Sequence, residues 1–224
     1  MNKFKVLLGA LSLLTVGTVN AGQFVLDSFN YNPPLSLEAT PTVGDQVKVG
    51  NVTSAETGAL AEYTLTWLSG AAVDTAKGNV FDSGSLSYNE EDLANGNLFI
   101  EYTLPIPGAT LDFTGYSYFY FDVISIDGSG GFDVVLTLTD GDGTIISGLY
   151  NITTPGMFLA SFASMMPGPD FDFSQVLSAS AFISSDGNGD DFTLAEVGLV
   201  PEPSSLAVLG LGLLGLGLRR RKLF

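Results

Sequence analysis

Oxygen ligands recur at alternate positions near the end of the chain, where Asp186, Asn188 and Asp190 are followed directly by Asp191. Alternating carboxylate and amide oxygens are the pattern with which loops wrap calcium, because every second side chain can turn to a common centre. Asp191 stands where such a loop needs glycine for its sharp bend, and the twelfth position from Asp186 is Val197 rather than a bidentate glutamate. Asp140 and Asp142 repeat the pattern in shorter form. For both stretches the favoured reading is the Asp-Gly and Asn-Gly chemistry of solvated β-turns. Calcium is therefore the one metal the residues suggest, and nothing in them calls for another cofactor.

The chain has no histidine and no cysteine. That removes Ser-His-Asp and Cys-His nucleophilic catalysis, ordinary zinc sites and disulfides. A pair of carboxylates can still hydrolyse a glycoside, but acids are so frequent here that some close pair is expected by chance and no spacing singles one out. The body is accordingly read as non-enzymatic. The single tryptophan, Trp67, offers a ring for stacking on sugars, yet it falls on the apolar side of its alternating run, which favours the core.

A different chemistry is written in the tail. Pro201-Glu202-Pro203 holds the backbone extended and denies it a helical hydrogen-bond pattern, so it suits recognition by an enzyme. The apolar stretch 204–218 follows, roughly 22 Å long as a helix, and then the basic cluster Arg219, Arg220, Arg221 and Lys222. A short span can be accommodated by snorkelling and local bilayer thinning, and the basic cluster keeps the end of the chain cytoplasmic while the body lies outside. The opposite end matches in logic. Lys3 and Lys5 precede an apolar run, and Val19-Asn20-Ala21 has the small-x-small form that places signal cleavage after Ala21. The expected organisation is a signal peptide at 1–21, a folded domain at 22–199 and a sorting signal at 200–224.

Residues 201–222 resemble the PEP-CTERM sorting signal. The resemblance implies an exosortase-type membrane protease as partner, an intermediate tethered at the inner membrane, and delivery to the cell surface or extracellular matrix of a Gram-negative bacterium. It also implies an association with exopolysaccharide, and a structural or adhesive role.

Charge is divided along the chain. Between residues 22 and 200 only Lys48 and Lys77 stand against 23 acidic residues, a net charge of −21. Nucleic acid is excluded as a partner, since binding phosphate needs clustered Lys and Arg. Divalent cations, basic surfaces and neutral sugars remain compatible with such a surface.

The elements that must carry these groups read as strands. Tyr63, Leu65 and Trp67 alternate with threonines; Leu98, Ile100, Tyr102 and Leu104 alternate with Phe99, Glu101 and Thr103; Val134, Leu136 and Leu138 alternate with Val135, Thr137 and Thr139. Each run should bury one face. Residues 118–124 are apolar on both faces, which predicts a central strand covered on both sides. Asp127-Gly128, residues 140–143 and residues 186–189 supply turn chemistry for tight hairpins. At most a turn or two of helix is expected in 89–95. Together these predict an all-β fold, an antiparallel β-sandwich of jelly-roll type.

Leu111-Asp112-Phe113-Thr114-Gly115-Tyr116 and Phe171-Asp172-Phe173-Ser174-Gln175-Val176 are faintly alike. With the opening residues 24–29 and the closing residues 191–194 they resemble the galactose-binding-like jelly rolls of exported bacterial proteins. The resemblance implies that the first and last strands meet, and that an acidic pair there can hold a structural calcium. Ala195-Glu196 stands where many such modules have an acid directly after the leucine. Such a module would recognise an extracellular polysaccharide, with calcium or without it.

Overall fold

The computed structural model describes residues 23–31, 34–39, 42–54, 57–69, 76–81, 84–91, 94–104, 106, 108–128, 130–165, 170–185 and 190–202. The chain enters through β1 (Phe24–Asp27), β2 (Leu35–Ala39), β3 (Gln46–Thr53) and β4 (Leu60–Ser69). It continues through β5 (Ala76–Phe81), β6 (Ser85–Glu90), β7 (Asn95–Thr103), β8 (Tyr116–Asp127) and β9 (Phe132–Asp140). The last third holds β10 (Ile145–Ile152), β11 (Gly156–Ser161), a single 3-10 turn at Phe162–Ser164, β12 (Val176–Ser185) and β13 (Asp191–Pro201).

Two antiparallel sheets pack face to face. The seven-stranded sheet runs β11-β8-β13-β6-β5-β2 with β1 added on β13, and the six-stranded sheet runs β10-β9-β12-β7-β4-β3. The first and last strands meet, Phe24 opposite Leu199 and Val25 opposite Gly198. Period-2 alternation is what makes this arrangement possible, since each strand turns every second side chain into the space between the sheets. Tyr63, Leu65, Trp67, Leu98, Ile100, Tyr102, Val134, Leu136 and Leu138 are all buried there. Aromatic rings fill much of the gap: Phe192 stacks on Phe132 at 4.5 Å between centroids and on Tyr88 at 5.0 Å.

The two similar segments pair with each other. The Leu111 amide donates to the Val176 carbonyl (2.7 Å), the Val176 amide returns a bond to Leu111 (2.9 Å), and the Phe113 amide donates to Phe173 (2.7 Å). Each carries the same local lock: Asp112 accepts from the Thr114 amide and hydroxyl, and Asp172 from the Ser174 amide and hydroxyl. Their likeness reflects a shared Asp-x-Thr/Ser turn.

Two sequence expectations are corrected. Of the three turn segments named, residues 140–143 close a hairpin between β9 and β10, Asp127-Gly128 leads from β8 to β9 in different sheets, and residues 186–189 lie outside the described residues. Glycine-rich acidic turns serve equally for hairpins and for crossing between layers, so local chemistry does not distinguish them. Strand β8 is also not covered on both sides. Phe119, Phe121 and Val123 enter the core, whereas Ile124 on the other face is 54% exposed. A two-layer sandwich has no third layer to lay there; Tyr120 is hidden instead by its own sheet, its ring against the backbone of Gly198 and its hydroxyl donating to Glu196 (2.8 Å). In 89–95, Asn89 and Glu90 end β6 and Asn95 opens β7, with the Ala94 amide donating to the Glu91 carbonyl (2.7 Å), so this stretch is a tight connection between sheets.

Candidate functional site

The sorting motif begins inside the sandwich. Pro201 ends β13 opposite Tyr116, and the Glu202 amide donates to the Gly115 carbonyl (2.8 Å). Beside it lies a cavity of about 530 Å³ walled by Phe113, Tyr116, Tyr118, Phe162 and Phe173, with Glu202 at its border. Pro203, the stretch 204–218, Arg219, Arg220, Arg221, Lys222 and the cleavage position Ala21 lie outside the described residues. No helix among the described residues is long and apolar enough to cross a membrane.

At one end of the sandwich the crossings between sheets bring acids together. Asp190 and Asp191 enter β13, Asp191 opposite Asp127, and Asp191 accepts from the Glu90 amide (2.9 Å). Glu90 is buried, and its carboxylate accepts from the Tyr88 hydroxyl, the Gly96 amide (2.7 Å) and the Ser185 hydroxyl. Burial raises the Glu90 pKa above the ordinary carboxylate value, these donors pull it back, and the charge of Asp190 adds to the rise. Burial likewise raises that of Asp191, reinforced by Asp127 and Asp190. Asp190 is buried with its Oδ2 unpartnered. Among the described residues no group of three or more acidic side chains is placed to hold a metal, and Asp186 and Asn188 lie outside the described residues. The second acidic run is a turn lock. Asp140 is buried and accepts from the amides of Asp142 (3.3 Å), Thr144 (2.8 Å) and Asp172 (3.0 Å).

Strand register builds a third feature, on the outer face of the six-stranded sheet. Reading across the strands, Lys48, Thr64, Phe99, Phe182, Val135 and Leu149 stand in one row. All project away from the core, because their neighbours Tyr63, Leu65, Leu98, Ile100, Ala181, Ile183, Val134 and Leu136 point into it. Phe182 is 36% and Leu149 69% exposed, so four adjacent strands carry an apolar stripe in contact with solvent. Polar rows flank it. On one side are Gln46, Thr66, Asn97, Ser184, Asp133 and Asn151, with Gln46 donating to Thr66 (3.2 Å) and Asn151 to Asp133 (2.8 Å). On the other are Glu62, Glu101, Ser180, Thr137 and Ser147, with Lys48 paired to Glu62 at 2.5 Å. Further along the same face, Glu101, Thr103, Thr139, Ser178 and the exposed Ile106 border a cavity of about 380 Å³.

Sequence reasoning placed Phe99 on the outward side of its strand but gave no reason to join it to Phe182. Both interrupt otherwise polar outward positions, Phe99 beside Asn97 and Glu101 and Phe182 beside Ser180 and Ser184, and that local break in alternation was the available signal. Trp67 lies in the core, 3% exposed.

The molecule is thus an antiparallel β-sandwich with a broad polar-apolar outer face and a last strand that runs into a proline-flanked tail. Residues 199–222 match the PEP-CTERM protein-sorting motif, so the chain is an exported protein sorted through a membrane-anchored intermediate. No curated protein matches the chain. Among solved structures it is similar to the family 11 carbohydrate-binding module of the cellulosomal cellulase Lic26A-Cel5E of Clostridium thermocellum, at 13% identity and TM-score 0.40, covering 81% of this chain and 96% of that one. It is similar also to TmCBM61 in complex with β-1,4-galactotriose, at 11% identity and TM-score 0.31, covering 81% and 99%. An exo-β-agarase is matched at 14% identity and TM-score 0.40 over 64% of this chain and 23% of that one.

Proposed function

We propose that the chain is a non-enzymatic surface or matrix protein of a Gram-negative bacterium, and that its sandwich holds an uncharged extracellular polysaccharide on the outer face of the six-stranded sheet. The observation that carries this reading is the stripe Phe99-Phe182-Val135-Leu149 bordered by rows of Ser, Thr, Asn and Gln. Sugar rings present apolar faces and a polar perimeter, so they are recognised by flat apolar side chains flanked by hydrogen-bonding groups. Charge narrows the class. Glu62, Glu101 and Asp133 border the stripe, and the one ammonium group in its row, Lys48, is already paired. An anionic polysaccharide would meet uncompensated repulsion there, whereas a neutral one would not. An extended face is what an adhesive contact with a long chain needs, and sorting to the exterior brings the protein to such a polymer.

The test is binding of the purified domain to arrays of neutral and acidic polysaccharides, with and without a chelator. Neutral glycans are expected to bind, and Phe99→Ala and Phe182→Ala each to weaken binding about tenfold or more, the equivalent of about 1.4 kcal/mol. A flat array in both conditions would remove the glycan reading, and equal binding by both variants would move the site off this face.

A further inference from the structure

The first residues of the sorting signal, 199–202, are held by the sandwich. The matched residues start at Leu199, which is 1% exposed and part of the core. Val200 then pairs with Tyr118 and Pro201 with Tyr116, and the Glu202 amide is bonded to Gly115. On the opposite edge β1 accompanies β13 only as far as Leu199, opposite Phe24. Extended peptides are commonly read by enzymes and binding domains through backbone pairing along one edge and side-chain pockets alongside. For residues 200–202 the edge toward β8 is already taken.

We infer that the folded sandwich withholds its own sorting motif, and that the membrane protease acts on it only after residues 200–202 peel away from residues 115–118. The inference rests on the reading of 199–222 as a sorting signal. Peeling is a local event. Pro201 has no amide hydrogen to give, so the end of β13 is held by few backbone bonds, and strand ends open far more often than whole domains unfold. Gly115 supplies its carbonyl from a left-handed turn (φ 82°), while the rings of Phe24 and Tyr116 pack at 5.9 Å beside it. The bed from which the segment lifts is the aromatic cavity bordered by Glu202. Processing would then report the integrity of the domain's last strand, and its rate would scale with the fraction of molecules whose strand end is open.

The chain has no cysteine, so a single engineered disulfide can lock the strand end without rivals. The full-length chain carrying both Tyr118→Cys and Val200→Cys is expressed in cells with its native processing machinery and followed by pulse-chase to the processed size. Crosslinked molecules, identified by their mobility shift, are expected to be processed at least tenfold more slowly than wild type and to recover on adding dithiothreitol, while each single-cysteine variant, which loosens the pairing without locking it, is processed at the wild-type rate or faster. A second variant, with four Gly and Ser residues inserted between Val200 and Pro201, is expected to be processed several-fold faster. Wild-type rates for the crosslinked form or for the insertion overturn the inference. Alanine at Pro201, Glu202 and Pro203 separates the two levels: normal processing of that variant overturns the sorting reading itself, whereas its failure beside an unaffected insertion variant overturns only the withholding.

Discussion

Asp27 and Glu90 are carboxylates in positions where a negative charge is costly, and each is surrounded by donors rather than by a cation. Asp27 accepts from the hydroxyls of Tyr31 and Tyr63 (2.6 Å each) and the amide of Phe29 (2.7 Å), yet burial still raises its pKa. The same holds for Glu90. Because the folded-state value lies above the unfolded one, the native state takes up a proton first as pH falls. The contribution of these two groups to stability is therefore fully present below the unfolded carboxylate value, about 4, and is lost as pH rises through the raised folded-state values. Urea midpoints are expected to be higher at pH 5 than at pH 8, and Glu90→Gln should reduce that difference; an unchanged slope would show that Glu90 does not contribute. Gly128 is a second single-residue dependence. Its φ is 121°, and a Cβ there would sit 1.9 Å from Asp190 Oδ1, so Gly128→Ala should destabilise by about 2 kcal/mol or more, read from denaturant unfolding. That glycine was legible in sequence as a turn residue. Its contact with an aspartate from another crossing was not, because the two are brought together by tertiary structure alone.

Strands were readable one at a time because alternation is local: Tyr63-Leu65-Trp67 or Val134-Leu136-Leu138 declares its buried face without reference to any partner. Partner choice is not local. Strands β8 and β9 are adjacent in sequence, joined by Asp127-Gly128, and yet belong to different sheets, while β7 lies between β4 and β12. The turn at 140–143 shows the same limit. Its Asp-Gly-Asp-Gly spacing suits both a hairpin and the start of a metal loop; the structure closes it as a hairpin, and the Asp172 amide donates to Asp140 from the segment that leads into β12. Asp140→Ala removes acceptors for three amides and should cost about 1–3 kcal/mol, whereas Asp142→Ala, at an exposed turn position, should cost well under 1 kcal/mol. Equal denaturation midpoints for the two variants would show that the tie to Asp172 does not stabilise the hairpin. The stripe on the outer face belongs to this scale too. No single strand contains it, and only register aligns Phe99 with Phe182, Val135 and Leu149.

Across the whole molecule, charge is one-sided. Residues 22–200 have 23 acids and two lysines, and both lysines are committed locally, Lys48 to Glu62 and Lys77 to Glu38 at 3.7 Å. Neither is free to neutralise a distant patch, so the body repels itself, and that repulsion is screened by salt within about 10 Å at 0.1 M ionic strength. Raising sodium chloride about tenfold from a low-salt buffer should lift the thermal midpoint by a few degrees, as seen by calorimetry or circular dichroism. Binding to the outer face should respond differently. A neutral polysaccharide brings no counter-charge, so its affinity should stay level over the same salt range, while a basic ligand drawn by the acidic surface would lose affinity steeply. Titration of one glycan at both ionic strengths, on the wild-type domain and on Phe182→Ala, separates the two. A level affinity that falls with loss of the ring ties recognition to the apolar stripe, and an affinity that collapses in salt while ignoring the ring would assign it to the acids instead.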